Sequence, residues 1–460
     1  MYRLSRAEIG RAWASAPGPG EKAVANCDED SLTMGVEAAV DCLTGTDPRS
    51  VDALYFASVS PPYREKQTAS LLARVLDLRP DIPTIDISDS LRGATTGLAL
   101  AVNAVKAGVA KKVLVVASDL RVAAPSSEYE PLFGDGAAAL LVGDSDVAVE
   151  IADYSTVYSD FMELWKRDKD HFHRTWEDRF LMDEGYLKIL PQAVVAAAKK
   201  NKLTPKDFNK AIYYAHDGRR HTEVSRRLGF DPKTQVQDPL FNAIGNIGTG
   251  HVFMMLVAAL EEAKAPEKLL LGGYGDGADV FILNVQQRLE NIRNRKGYKK
   301  HLASKAVIPN YEKYVRFKNL MEWEAERRPA DFSYLPMLWR ERRQNMSLIG
   351  CKCKVCGNVQ FPVQRICMWC QAKDQFEEFH LADKKGSLFT FSIDERAMVK
   401  DPPNVLCEVD LVGGCRFYCS MTDRDPKKVD VGMPLEMTFR VMHEGSGFYN
   451  YYWKCRPARA

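Results

Sequence analysis

At 460 residues the chain exceeds what one hydrophobic core organises, and two or three domains are expected. Lys and Arg number 63 against 61 Asp and Glu, so a formal net charge of +2 gives no reason to expect nucleic acid, an anionic membrane surface or an acidic substrate. No run approaches the roughly 18 to 20 apolar residues of a spanning helix, and the opening MYRLSRAEIGRAW lacks an apolar leader core, which predicts a cytoplasmic protein. Of 11 cysteines only Cys27 and Cys42 precede residue 350, a distribution unlike a secreted disulfide framework.

In chain order, a helix is predicted from about Ser31 to Leu43, and Val51–Ser60 is a continuous apolar run of the kind buried on both sheet faces. A helix follows over about Lys66–Leu78, after the Pro61-Pro62 breaker. The strand at Ile85 then leads through the small-residue elbow Asp89–Gly93 into a helix over Ala94–Ala107 that is apolar on nearly every side. Lys111–Asp119 and Phe133–Asp144 read as further strands. This alternation predicts α/β layering.

The second half repeats the order. Helix Gln192–Lys200 precedes the strand AIYYAHD, and helix Gly250–Ala263 precedes the strand pair in PEKLLLGGYGDGADVFIL; helix, strand, Gly-Asp-Gly-Ala and apolar strand thus occur twice. An internal duplication is the economical reading, with halves at about 1–150 and 151–290. Gln286–Lys305 is basic and polar and reads as a linker or surface helix, and Tyr311–Arg328, including Trp323, as an amphipathic helix that packs on a neighbouring domain. The basic run Arg340–Arg343 reads as a solvated helix face.

Cys353-x2-Cys356 and Cys367-x2-Cys370 form two knuckles whose four thiolates suit a closed tetrahedral zinc site, structural rather than catalytic, with Cys351 as a spare ligand. Past them come short strands with glycine turns, which predict a small five-stranded barrel. Its aromatic FYNYYW reads as a barrel-closing strand, because no basic groove accompanies it for stacking nucleic-acid bases. The expected organisation is therefore 1–290, then a linker with amphipathic helices over 291–345, a zinc ribbon over 346–378 and an OB-type barrel over 379–460.

The last part, with C-x2-C-G-x4-F-P followed by C-x2-C and the ending WKCRP, resembles the acyl-CoA-associated ribbon/OB domains that partner thiolase-like enzymes. The first 290 or so residues resemble the thiolase superfamily, nearest to 3-hydroxy-3-methylglutaryl-CoA synthases and the type III ketoacyl synthases. The motifs are SVSPPYREKQT, YEPLFGDGAAALLVG, SDFMELWKRDKDHFHRTWEDRF, AHDGRRHTEVSRRLGF and IGNIGTG. The resemblance implies duplicated α/β/α/β/α layers, an acyl-CoA substrate and a homodimer, with a second thiolase subunit as a further partner.

It also implies a catalytic cysteine, histidine, asparagine and glutamate. His216 and Asn246 fall on the histidine and asparagine, a pair suited to holding a thioester oxygen as it gains charge. Leu91 falls on the cysteine and Val59 on the glutamate, so both become expected walls of an acyl pocket. Ser90 is one register step from the nucleophile position. Tyr63, Glu65, Asp89 and Tyr274 are the candidates for an unassigned base, the two tyrosines reading more readily as packing residues than as catalytic ones. Arg219 and Arg220 follow His216 where related synthases carry a cationic CoA contact.

Without a thiolate no acyl-cysteine forms. The expected chemistry is aldol or retro-aldol cleavage of a 3-hydroxyacyl-CoA. A synthase or thiolase with an unusual nucleophile and a silent acyl-CoA-binding scaffold are the alternatives.

Overall fold

The computed structural model describes residues 2–322 and 332–459. Two four-stranded sheets organise the first 290 residues. The first contains β1 (Ala53–Ala57), β2 (Thr84–Ile87), β3 (Lys112–Asp119) and β4 (Gly136–Gly143), ordered β2-β1-β3-β4 with only the β3–β4 pair antiparallel. The second contains β5 (Val149–Tyr158), β6 (Lys210–Tyr213), β7 (Lys268–Tyr274) and β8 (Gly277–Val285), ordered β6-β7-β8-β5. Here β6 and β7 are parallel, and β8 runs antiparallel to both neighbours. In each sheet one Gly-Asp-Gly-Ala unit opens the second strand of an antiparallel pair, β3–β4 and β7–β8; β4 ends its sheet, whereas β8 is flanked further by β5.

Helices α1 (Ser31–Cys42) and α2 (Thr68–Val75) cover the outer face of the first sheet, while α3 (Gly93–Lys106) and α6 (His251–Leu260) lie between the sheets. The outer face of the second sheet carries α4 (Leu187–Lys200) and α5 (Gly218–Leu228). Period-two alternation accounts for the layering: Val113, Val115 and Ala117 of β3 join the central core with Leu98 and Phe253, whereas Leu114 and Val116 face α1. Because α3 and α6 meet protein on both sides, their all-round apolar character is what the fold requires. The result is five alternating layers.

The remaining chain packs back on this body. Helix α7 (Tyr311–Phe317) buries Tyr311, Tyr314, Val315 and Phe317 against Tyr2, Leu4 and Ile9. This is the start of the expected Tyr311–Arg328 helix; Trp323 and the residues to Arg328 lie outside the described residues. Strands β9 (Ile349–Cys353), β10 (Val359–Gln360) and β11 (Phe376–His380) form the cysteine-bearing ribbon. Then β12 (Lys385–Asp394), β13 (Asn404–Leu411), β14 (Cys415–Ser420), β15 (Pro434–Gly445) and β16 (Phe448–Pro457) form a five-stranded sheet ordered β14-β13-β12-β15-β16. The expected barrel is not closed by a continuous ladder: its edges meet at an isolated parallel bridge, Met421 to Cys455. No helix among the described residues is long and apolar enough to cross a membrane.

Side chains of the last sheet and of the two helices over the first sheet share a single apolar cluster, Trp453 and Val405 with Leu32 and Leu72. A buried ionic knot adds to this seam. Arg440, 1% exposed, reaches Asp28 at 3.1 Å, Glu29 at 2.9 Å and Asp423 at 2.5 Å. Burial alone would raise the Asp423 carboxyl, but Arg440 beside it holds it well below the usual carboxylate range.

Candidate active site

The elbow ahead of α3 is built by tight backbone approach. Asp89 takes a left-handed φ of 72°, and Gly275 (φ 145°) lies so close that a Cβ there would stand 3.1 Å from the Cβ of Leu91. Ser90 donates its hydroxyl to the Gly275 carbonyl at 3.0 Å and so braces the elbow. Arg92 spans to the buried Asp279 at 3.1 Å, which also accepts from Thr95 at 2.7 Å. Leu91 packs on the cluster that holds Tyr186, Tyr214 and Tyr274. An alkyl side chain therefore stands at the elbow, among aromatic rings.

Across from it, His216 follows β6 and Tyr274 ends β7, and both converge on Glu163. His216 Nε2 lies 2.6 Å from Glu163 Oε1, and Tyr274 donates its hydroxyl to Oε2 at 2.5 Å. The His216–Glu163 approach lies off the direction of a straight hydrogen bond, leaving both atoms buried without an aligned partner. The rings of Tyr186 and Tyr214 stand edge-on to His216, at 4.9 and 5.5 Å between centroids. Burial, and then the charge of Glu163, hold the Tyr274 hydroxyl well above the ordinary phenol range, so it stays a donor. An imidazole backed by a carboxylate can accept and return a proton.

Asn246 adjoins this group but is fully occupied. Its amide nitrogen donates to the Tyr214 hydroxyl at 2.8 Å, while its oxygen accepts from Arg121 and from the Gly248 N–H, each at 3.1 Å. The amide thus orients Tyr214 and Arg121, and it is not presented beside His216 as a free donor. Two buried residues hold the turn around it. Asp119, wholly buried, accepts from Ser58, Val59 N, Ser60, Thr249 N and the Thr249 hydroxyl, all at 2.7–2.9 Å. It ties the loop after β1 to the start of α6. Ile247 N donates to His251 Nδ1 at 3.4 Å, so the neutral ring gives its Nε2 hydrogen to the Pro239 carbonyl. Burial pushes His251 down to about 3 and keeps it neutral.

Val59 has its backbone N–H held by Asp119, on the loop after β1. Tyr63 does not join the site: its hydroxyl accepts from Tyr449 N at 2.7 Å, at the seam with the last sheet. Glu65 and Asp89 are exposed. Arg220 is taken up by Asp217 and Asp178. Arg219 is exposed and lines a cavity of about 620 Å³ with Pro19, Leu132, Asp217, Asp238 and Phe241, whose rim begins one residue after His216.

The sequence reading missed Glu163, Tyr186, Tyr214 and Arg121. A signal for Glu163 exists: of the six acidic residues in Ser159–Phe180, it alone has apolar neighbours on both sides.

In the ribbon, the sulfurs of Cys353, Cys356, Cys367 and Cys370 lie within 4.8 Å of one another, with Cys353–Cys370 at 3.6 Å and Cys356–Cys367 at 3.5 Å. Tetrahedral zinc with bonds of about 2.3 Å needs sulfur pairs about 3.8 Å apart, so the four fit that ion. Cys351 is outside the group; it is buried on β9 opposite Gln360 and Glu378.

Comparison with known proteins agrees with both halves. A family described as 3-oxoacyl-[acyl-carrier-protein (ACP)] synthase III matches residues 85–159, and one described as ChsH2, C-terminal OB-fold domain, matches residues 380–440. Hydroxymethylglutaryl-CoA synthase of Aeropyrum pernix is 31% identical over 330 residues, 69% of this chain and 91% of the relative. That of Thermococcus gammatolerans is 30% identical over 331 residues, 70% and 91%. A crystal structure of an HMG-CoA synthase complexed with CoA superposes with a TM-score of 0.63 at 19% identity, covering 72% of this chain and 91% of that one.

Proposed function

This chain belongs to the hydroxymethylglutaryl-CoA synthase family of the thiolase superfamily, here continued into an OB-fold domain, and from that premise we propose that it makes or breaks a carbon–carbon bond in an acyl-CoA without an acyl-enzyme. The observation that carries the reading is the pairing of an alkyl side chain at the elbow, Leu91, with a carboxylate-backed imidazole opposite, Glu163–His216. A site so built lacks a nucleophile but keeps an acid–base.

On a 3-hydroxyacyl-CoA, His216 takes the proton of the 3-hydroxyl and Glu163 stabilises the imidazolium. The C2–C3 bond breaks, its electron pair moves to C2 as the thioester enolate, and a carbonyl compound leaves. The imidazolium then returns the proton to C2, giving the shortened acyl-CoA. The relatives are named as synthases; addition of the thioester enolate to a ketone is the same step run backwards. Asn246 and Tyr214 position the site through their mutual bond, Val59 and Leu91 wall the acyl group, and the exposed Arg219 meets the phosphates of CoA at the cavity rim.

The four cysteines hold one structural zinc, which closes the ribbon and takes no part in the reaction. The free edge of β2, which among the described strands pairs only with β1 and leaves Ile85 38% exposed, supports a homodimer through that sheet.

The experiment is to incubate the purified protein with a series of 3-hydroxyacyl-CoA thioesters and measure released aldehyde or ketone. Release that His216→Ala abolishes supports the reading. Release that survives His216→Ala rejects the assignment of that residue, and no release from any thioester, in either direction, favours a silent acyl-CoA scaffold.

A further inference from the structure

Helix α7 presents a polar stripe to the first half of the chain. Tyr311, Tyr314 and Lys318, spaced i, i+3 and i+7 along the helix and its C-cap, fall on one side of it, and all three are buried. Tyr311 donates its hydroxyl to the Glu130 carboxylate at 2.6 Å, the Tyr314 hydroxyl accepts from Lys22 at 3.0 Å, and Lys318 donates to Asp135 at 2.5 Å. Lys22 also donates to the Glu130 carbonyl. The stripe thus grips both ends of the segment Glu130–Asp135. At its far end the side chains of Lys318 and Asp135 are 3% and 1% exposed, so the pair is an ion pair shut away from water.

The same segment carries the Asn246 turn. Phe133 and Asn246 form a parallel bridge, in which Gly134 N donates to the Asn246 carbonyl at 3.0 Å and Asn246 N to the Leu132 carbonyl at 2.6 Å. Besides Lys318, the Asp135 carboxylate accepts from Arg121 N at 2.8 Å and from Ala25 N at 2.7 Å. Arg121 in turn holds the Asn246 amide oxygen. One carboxylate therefore joins Lys318 to both supports of Asn246, the bridged segment and Arg121. From Asn246 the connection continues through the Tyr214 hydroxyl to a ring that stands edge-on to His216. A buried ion pair is often no more stabilising than apolar residues of the same volume, so stability alone does not account for this one.

We propose that Lys318 is a positioning residue for the reaction, the point at which α7 clamps the Asn246 turn. It acts through Asp135 rather than on the acyl-CoA. With the cation in place, Asp135 stays ionised and keeps Arg121 N and Ala25 N in register, which fixes Asn246 and, through Tyr214, the approach of the ring to His216. Helix α7, which lies beyond both α/β sheets in the chain, is thereby part of the site's scaffold. The proposal rests on the acyl-CoA reading above.

The test measures kcat, KM and melting temperature for wild type, Lys318→Met and Val315→Ala, on the 3-hydroxyacyl-CoA that wild type turns over. Val315 is on the same helix but packs with Tyr2, Leu4 and Ile9, so its truncation loosens α7 without touching the stripe. Lys318→Met is expected to lose about 10- to 100-fold in kcat, the scale of a small misplacement of the reacting groups, with KM changed by less than about threefold. Val315→Ala should melt at a lower temperature with kcat within about threefold of wild type. A folded Lys318→Met protein with kcat within about threefold of wild type overturns the proposal. So does a loss of kcat in Val315→Ala equal to that in Lys318→Met, because the helix would then act only by holding the fold together. If Lys318→Met does not fold, Tyr311→Phe, which removes only the hydroxyl on Glu130, is measured in its place. Its kcat should fall about three- to tenfold, the worth of one hydrogen bond, and an unchanged kcat overturns the proposal. A wild-type protein that turns over no thioester fails the acyl-CoA reading itself, and this proposal with it.

Discussion

Glu163→Gln is the sharpest perturbation of the site, because that carboxylate has two partners. One oxygen stands 2.6 Å from His216 Nε2 and the other accepts from Tyr274 at 2.5 Å. Glutamine keeps the size and an acceptor for Tyr274 but removes the charge that stabilises the imidazolium. Assistance by a positioned acid–base is worth about 10²–10⁴ in rate, so kcat should fall by that factor. Glu163 faces His216 and Tyr274 rather than the cavity rim at Arg219, so KM should change by less than about threefold. Stability should drop by less than about 2 kcal/mol, since the Tyr274 hydroxyl keeps an acceptor. Glu163→Asp, one methylene shorter, cannot span both partners and should lose activity to a similar extent. The assays are steady-state turnover of the thioester that wild type cleaves or forms, and urea unfolding of each variant. A folded Glu163→Gln protein with kcat within about threefold of wild type would refute the assigned role.

Other consequences are open to direct measurement. Arg440→Met leaves Asp28, Glu29 and Asp423 without their shared cation, so unfolding should cost about 3–5 kcal/mol less than in wild type; a change under about 1 kcal/mol contradicts the buried knot. Elemental analysis should find one zinc per chain, and Cys353→Ser or Cys367→Ser should lose the metal and lower the melting temperature. Acid should destabilise the fold through its buried histidines. Burial lowers His221 to about 4 and His251 to about 3, so the unfolded chain takes up protons first as pH falls below about 6.5. Each then gives up about 2 kcal/mol of stability by pH 5, and above pH 6.5 that contribution is complete. His251→Gln should flatten the pH dependence of the unfolding free energy between pH 5 and 7; an unchanged slope contradicts a neutral His251.

The parts of the molecule that were legible in the sequence are those set by local pattern. The strand Lys111–Asp119 and the helix Ala94–Ala107 carry their burial in their own residues, and the repeated Gly-Asp-Gly-Ala unit marks the two hairpins. The zinc knuckles are local in the same sense, because two-residue spacing brings thiols together in one turn. Glu163 was not legible that way. It lies in the irregular stretch Ser159–Phe180, where neither period two nor 3.6 applies, and its approach to His216 and Tyr274 is made by the assembled second sheet. Asn246 illustrates the converse: the motif identified the residue, but only the structure shows its amide spent on Tyr214 and Arg121. Tyr63 and Arg220 were candidates by position, and tertiary contacts with Tyr449, and with Asp178 and Asp217, engage them elsewhere. The seam between the first sheet and the last was also out of reach, since Arg440 and its three carboxylates come from distant segments.

The central claim is that the acyl group stays on CoA throughout. Intact-protein mass spectrometry during turnover of a 3-hydroxyacyl-CoA tests it most directly. The account predicts released carbonyl product with the protein mass unchanged at every time point. A protein heavier by the mass of the acyl group, formed and lost at the rate of turnover, would contradict it.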